Sequence, residues 1–275
     1  MQIKEMLINA GKNGAAAGAF NILNYTTARA VIEAADSCGC PVILQTSVST
    51  VKSLGLEALG GMLNQLKGLS AQPVVVHLDH CRDQELARRC LDGFWDSVMI
   101  DGSHLPMEEN IEFTKEIADY AHKLGKEVEG ELGVIAGVED DIHNEKGTGV
   151  AVKDCLFYIE QTGIDIFAPA IGTAHGIYHG APVIRYDLVE QLRGATDVPI
   201  VVHGGSGLSE EVFRKLIECG ASKINISTAV KQSYLKGMRE FCGINNPLEV
   251  DTAIKQEVKQ AVQEHINGEV SVNGI

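Results

Sequence analysis

The sequence predicts an α/β fold, a single (β/α)8 TIM barrel over residues 1–275, with an extra N-terminal helix and a C-terminal helical extension. Three observations predict it. The 275 residues lie close to the ~250 typical of such a barrel. Eight short apolar runs, bounded by Gly, Pro or polar residues, read as buried parallel strands. The segments between them are long enough for helical crossovers.

Taken in order, the runs are Ala16–Asn21, Pro41–Gln45, Pro73–Asp79, Asp96–Asp101, Glu127–Leu132, Ile164–Ala168, Val198–His203 and Lys223–Ser227. Between them, Thr26–Ser37, Glu108–Leu124 and Ser209–Cys219 carry apolar residues at helical spacing. Ser209 suits an N-cap, with Glu210 and Glu211 favourably placed in the first turn. Further helices are expected at Ile3–Gly11 and Val250–Asn267, and Gly268–Ile275 reads as a loosely held tail. Eight βα units in one chain fit a closed barrel better than an open doubly wound sheet, the structural runner-up. No linker or domain boundary is legible.

Composition bounds the function. Hydrophobic residues make up 45% and charged residues 22%, as in a globular protein with a sizeable core. A net charge of -14 argues against nucleic acid or an anionic membrane as partner. No apolar run approaches the ~20 residues of a membrane span, and Met1–Met6 lacks the layout of a signal peptide, so a cytoplasmic protein is expected. The seven cysteines are odd in number and scattered, which does not suit a disulfide framework. Cys38-Gly39-Cys40 reads as a helix end with a Gly turn.

In a barrel, reacting groups come from the C-terminal strand ends and the following loops. Those ends read His77-Leu78-Asp79-His80, Met99-Ile100-Asp101-Gly102-Ser103, Glu129-Gly130-Glu131-Leu132-Gly133, Gly172-Thr173-Ala174-His175-Gly176, His203-Gly204-Gly205-Ser206-Gly207 and Asn225-Ile226-Ser227-Thr228. Three imidazoles at one mouth, His80, His175 and His203, suggest a divalent metal, since catalytic zinc takes three protein ligands and keeps one position open. Any one of them alone reads more simply as a packing or surface histidine. His77, two residues before Asp79 on the same strand face, reads as buried and hydrogen-bonded. His104, His122, His143, His179 and His265 read as solvent residues.

Asp79 suits proton transfer to or from a substrate oxygen, or the orientation of a metal-bound histidine. Glu131 can ligate the metal or sit just outside it, and Asp101 suits an outer position. Glu139-Asp140-Asp141, within Gly133–Gly149, is either a solvated acidic loop or a lid bringing a base to the substrate. Gly204-Gly205-Ser206-Gly207 suits a phosphate: glycine lets the backbone approach closely, and the following helix N-terminus favours an anion. Backbone dipoles would let an acidic protein bind a phosphate.

These motifs, in order along nearly the whole chain, resemble the class II, metal-dependent ketose-bisphosphate aldolases, the fructose- and tagatose-bisphosphate aldolase family. The resemblance implies reversible cleavage of a ketose (bis)phosphate to dihydroxyacetone phosphate and an aldehyde, through an enediolate stabilised by Zn2+. It implies His80, His175 and His203 as zinc ligands, Glu131 as an alternative metal contact and Asp79 as the acid/base. Glu139 is implied as the lid base. Gly176, Gly204, Ser206, Asn225, Ser227 and Thr228 are implied as the dihydroxyacetone phosphate site, with Asn21 also among the substrate contacts. A monovalent cation (Na+ or K+) near the phosphate and a homodimer or homotetramer are also expected. No Schiff-base lysine is needed; Lys223, just before Asn225, is expected to point away from the mouth.

The sequence departs from many relatives at the distal end of the substrate. Gln45–Lys52 lacks their Gly-rich Ser-Glu-Gly-Ala-Gly-Arg pattern, leaving Ser47 and Lys52 where a distal anion could be held. Ala229 stands where many carry an acidic residue, and His179 where many carry lysine. A ketose 1-phosphate with a non-phosphate far end is therefore an alternative. A metal-dependent hydrolase or isomerase on the same barrel, and a non-catalytic sugar-phosphate binder, are the competing classes.

Overall fold

The structure is a computed structural model describing residues 1–139, 142–144, 147, 149–178, 180–241 and 246–270, with the backbone alone at 138–139, 142–144, 241 and 268–270. Eleven strands occur among them: β1 (Ala17–Asn21), β2 (Val42–Ser47), β3 (Val74–Cys81), β4 (Ser97–Ile100), β5 (Glu127–Leu132), β6 (Ala136–Glu139), β7 (Ile142–Asn144), β8 (Ile166–Pro169), β9 (Ala174–His175), β10 (Ile200–Val202) and β11 (Ala221–Ile226). Eight of them close a parallel barrel in the order β1-β11-β10-β8-β5-β4-β3-β2. The predicted runs match these strands within a few residues. Helices lie between them, as a right-handed crossover requires.

Period-2 alternation sorts the side chains. Outward residues such as Val76, Leu78, Val98, Val128, Phe167, Ile224 and Ile226 pack with the surrounding helices into the main core. Inward residues at the N-terminal end are apolar: Ala17, Ala19, Ile43, Val75, Ile166, Ala168 and Val201 pack with Ile3, Met6 and Leu7. The helix Ile3–Lys12 therefore plugs the bottom of the barrel. Further along, the inward positions turn polar, with Gln45 opposite His77 and Ser47 opposite Asp79.

The helix ends follow local chemistry. Asn24 and Thr27 form a capping box before the helix Tyr25–Cys38, which stops at Gly39 with φ 69°, as the Cys-Gly-Cys reading expects. Ser209 caps the helix Glu210–Cys219 by accepting from the Val212 N–H. The last helix runs over Pro247–Val270, longer than expected at both ends. Residues 271–275 of the predicted tail lie outside the described residues. The six cysteines described are free thiols. Among the described residues no helix is long and apolar enough to cross a membrane.

The stretch read as a loop or lid contains β6 and β7, an antiparallel hairpin. β6 also runs parallel to β9, with Gly137 opposite His175, so a small second sheet sits over the barrel mouth.

Candidate active site

The three histidines converge. Their ligand nitrogens all lie within 4.8 Å of one another. Ring centroids are 4.9 Å apart for His80 and His175, 4.6 Å for His80 and His203, and 5.8 Å for His175 and His203. His80 Nε2 and His203 Nδ1 approach to 2.8 Å. The opposite nitrogens face carboxylates: His203 Nε2 lies 2.9 Å from Glu129 Oε1, and His80 Nδ1 lies 3.4 Å from Asp101 Oδ2. A carboxylate on one ring nitrogen fixes the tautomer and leaves the other nitrogen's lone pair for a cation.

His80 reaches the cluster by an unusual route. Alternation along β3 would turn it outward after Asp79. Instead the β3–β4 register shifts between Leu78 and Cys81, and His80 adopts φ 46°. A positive φ at a non-glycine residue is uncommon and costs strain, which recurs at functional sites.

The electrostatics suit a cation. Asp101 is buried and gripped by Arg82 Nε at 2.9 Å and Ser103 Oγ at 2.6 Å. Burial raises its pKa, but His80 and Arg82 outweigh that and hold it far below the usual range. Burial lowers the pKa of His80, yet Asp79, Asp101 and Glu131 outweigh it and push it well up. Glu131 is raised by burial and then by the Asp101 charge, and its Oε2 lies 3.4 Å from His203 Nδ1 without a well-formed hydrogen bond. Three imidazoles beside buried carboxylates, one of them turned toward the same nitrogens, form a donor set that fits a divalent ion.

Asp79 is 1% exposed and accepts from two amides. Asn21 Nδ2 donates to Oδ2 at 2.9 Å and Asn225 Nδ2 to Oδ1 at 3.2 Å. Gln45 Nε2 donates to Asn21 Oδ1 at 2.8 Å, which orients that amide. Both polar groups of Asn21 are thus engaged, so Asn21 holds Asp79. Asn225 Oδ1, Ser227 Oγ and Thr173 Oγ1 are buried without a hydrogen-bond partner.

The glycine-rich turn after β10 packs against the end of β11. The Gly205 N–H donates to Asn225 O at 3.0 Å, and the Ala229 N–H donates to Ser206 Oγ at 3.1 Å. That brings Gly204–Ser206 against Ser227 and Thr228, where the helix Thr228–Phe241 begins. Gly204 has φ 70°, and a Cβ there would collide with the Ala174 carbonyl oxygen. Tyr178, not singled out from the sequence, ties the two loops together. Its hydroxyl accepts from the Ala174 N–H at 3.0 Å and donates to Gly204 O at 2.8 Å. Gly176 lies between them with φ 88°.

Ser47 caps the helix Val48–Leu54, accepting from the Thr50 N–H, and Lys52 is exposed on that helix. Of the predicted lid base Glu139, the backbone ends β6; its side chain, like Asp140, Asp141, His179 and the side chain of His143, lies outside the described residues.

Two expectations are corrected. Lys223 does not point away: it is fully buried inside the barrel, with Nζ 2.7 Å from Glu129 Oε2. Sharing a face with Asn225 two residues on, it had to point inward. His265 hydrogen-bonds Ala261 O at 2.7 Å and packs edge-on between Phe20 and Phe213. His122, by contrast, is exposed in line with its reading, with Nε2 2.9 Å from Asp165 Oδ2 at the surface. His77 matches its reading, wholly buried with Nδ1 2.7 Å from Ser97 Oγ.

Comparison with known proteins agrees with the geometry. Residues 1–274 match the family described as class-II fructose-bisphosphate aldolase. The chain is 35% identical to a fructose-bisphosphate aldolase of Staphylococcus epidermidis over 98% of its own length and 96% of the relative's. The YdjI aldolase of Escherichia coli K12 superposes with a TM-score of 0.88 at 30% identity, covering 98% of this chain and 96% of that one. A putative fructose-1,6-bisphosphate aldolase of Coccidioides immitis superposes with a TM-score of 0.92 at 28% identity, over 98% and 96% of the two chains. With its barrel, its histidine cluster and its whole-length match in accord, this chain belongs to the class II fructose-bisphosphate aldolase family.

Proposed function

We propose that this protein is a metal-dependent aldolase that reversibly cleaves a ketose 1-phosphate or bisphosphate to dihydroxyacetone phosphate and an aldehyde. The observation that carries the reading is the convergence of His80, His175 and His203 beside the two-amide clamp on Asp79. Three imidazoles favour zinc among the divalent ions. Held there, the ion supplies Lewis-acid polarisation of the ketose carbonyl.

The chain's own residues supply the rest. Asp79, its oxygens fixed by Asn21 and Asn225, takes the proton of the C4 hydroxyl as the C3–C4 bond breaks. The electron pair stays with the ketose-derived half, and Glu139, carried on the hairpin beside His175, returns a proton to that carbon. Gly176, Gly204, Ser206, Ser227 and Thr228 hold the phosphate through N–H and hydroxyl groups at a helix N-terminus, with a monovalent cation nearby on backbone carbonyls. Asn225 is shared between the substrate and Asp79. Ser47 and Lys52 face the distal end of the substrate. The relatives' names make fructose bisphosphate the first substrate to try. A cytoplasmic homodimer or homotetramer is the expected form.

A panel of ketose phosphates varying the C4 configuration and the distal group, assayed with and without chelator, tests this reading. Dihydroxyacetone phosphate should appear from at least one member and stop on chelation. Chelator-insensitive cleavage, or none across the panel, would sink it.

A further inference from the structure

Lys223 is a buried cation for which the chemistry above has no use. Its Nζ lies 2.7 Å from Glu129 Oε2, and neither side chain has any exposed surface. The other oxygen of Glu129 lies 2.9 Å from His203 Nε2, and His203 Nδ1 faces His80 Nε2 at 2.8 Å. A continuous line thus runs from Lys223 through Glu129 and His203 to the histidine cluster. His77 flanks it, with Nε2 3.5 Å from Glu129 Oε2.

Burying an ammonium is costly even when it is paired, and an apolar residue of similar volume often packs as well or better. The neighbouring inward layer of this barrel is indeed apolar, with Val75, Ile43 and Val201. What the ion pair adds is orientation. An imidazole can ligate a cation through Nδ1 only if its proton sits on Nε2, and a neighbouring acceptor decides which tautomer forms. Glu129, 2.9 Å from Nε2, is the nearer acceptor, against 3.4 Å from Nδ1 to Glu131 Oε2, and Lys223 grips its second oxygen.

We propose that Lys223 is a positioning residue of the metal centre: through Glu129 it holds His203 as the Nε2–H tautomer and so sets divalent-metal affinity without touching metal or substrate. The inference rests on the metal-dependent reading above. It also explains why a lysine inside an aldolase barrel is not a nucleophile, since Nζ is committed to a carboxylate at the barrel's midlevel.

The test is metal binding by apo-protein, followed by Co2+ ligand-field absorption and by Zn2+ competition against a chromophoric chelator. Lys223→Met should weaken binding about 10- to 100-fold, the usual effect of removing an outer partner of a ligand, with a native circular dichroism spectrum. Glu129→Gln should do the same for a specific reason. Lys223 attracts the amide oxygen, which turns the amide NH2 toward His203 and favours the wrong tautomer. Adding Lys223→Met to Glu129→Gln frees the amide to turn its oxygen to His203, so the double variant should bind metal more tightly than Glu129→Gln alone. A merely structural lysine cannot produce that recovery, and the comparison holds even if Lys223→Met alone fails to fold. A folded Lys223→Met protein with unchanged affinity and Co2+ spectrum would overturn the proposal, as would a double variant no tighter than Glu129→Gln. Wild-type protein that takes up no divalent ion would instead overturn the functional reading on which it rests.

Discussion

Asn21→Ala separates holding Asp79, the proposed acid/base, from binding substrate. The side chain donates to Asp79 Oδ2 at 2.9 Å and accepts from Gln45 Nε2 at 2.8 Å. A hydrogen bond to a charged group contributes about 1.5–3 kcal/mol. If that whole contribution acts on the proton transfer, kcat falls about 10- to 150-fold. Truncation also strands the Gln45 amide N–H, in a side chain whose Oε1 already lacks a partner. Stranding a buried polar group costs about 1–3 kcal/mol of stability, a fall of several degrees in Tm for a domain of this size. The assay is steady-state cleavage coupled to reduction of dihydroxyacetone phosphate, alongside thermal unfolding. A drop in kcat with KM nearly unchanged is expected. A raised KM with kcat intact would refute the reasoning and make Asn21 a substrate ligand, the role implied by resemblance.

Two further outcomes follow from packing. Gly204→Ala places a Cβ at φ 70° against the Ala174 carbonyl, so it should cost about 1–3 kcal/mol and raise KM for the phosphate more than it lowers kcat, as unfolding curves and kinetics on the same protein will show. Tyr158→Phe removes a buried hydroxyl lying 2.8 Å from Thr114 Oγ1 and 3.2 Å from Asn110 Oδ1, the asparagine whose Nδ2 donates to Glu131 O at 3.0 Å. It should lower stability by about 1–2 kcal/mol in denaturant titration, and leave metal stoichiometry unchanged.

Much of the fold was legible because its signals are local. Apolar runs, caps and Gly stops each act within a few residues, and alternation placed His77 and Asp79 on one inward face. The same rule applied to β11 would have put Lys223 beside Asn225. The obstacle was its charge, because the compensating Glu129 lies 94 residues away in sequence. His80 shows the opposite case. Alternation turns it outward, and only the register shift and the positive φ of the folded chain bring it to the cluster, so its place at a strand end marked it out where periodicity could not. The hairpin β6–β7 was missed because its pairing partner is β9, a two-residue strand with no pattern of its own. Tyr178 was missed for a similar reason: its role is to bridge two backbone atoms in different loops.

The most direct measurement titrates apo-protein with a divalent ion while metal occupancy and dihydroxyacetone phosphate formation are followed in the same sample. A three-imidazole centre that carries the reaction predicts activity rising linearly with occupancy and saturating at about one ion per chain. Substituting His175 by Ala should remove both signals together. Cleavage that proceeds in the apo-protein, or that stays absent on every ketose phosphate at full occupancy, would contradict a metal-dependent aldolase.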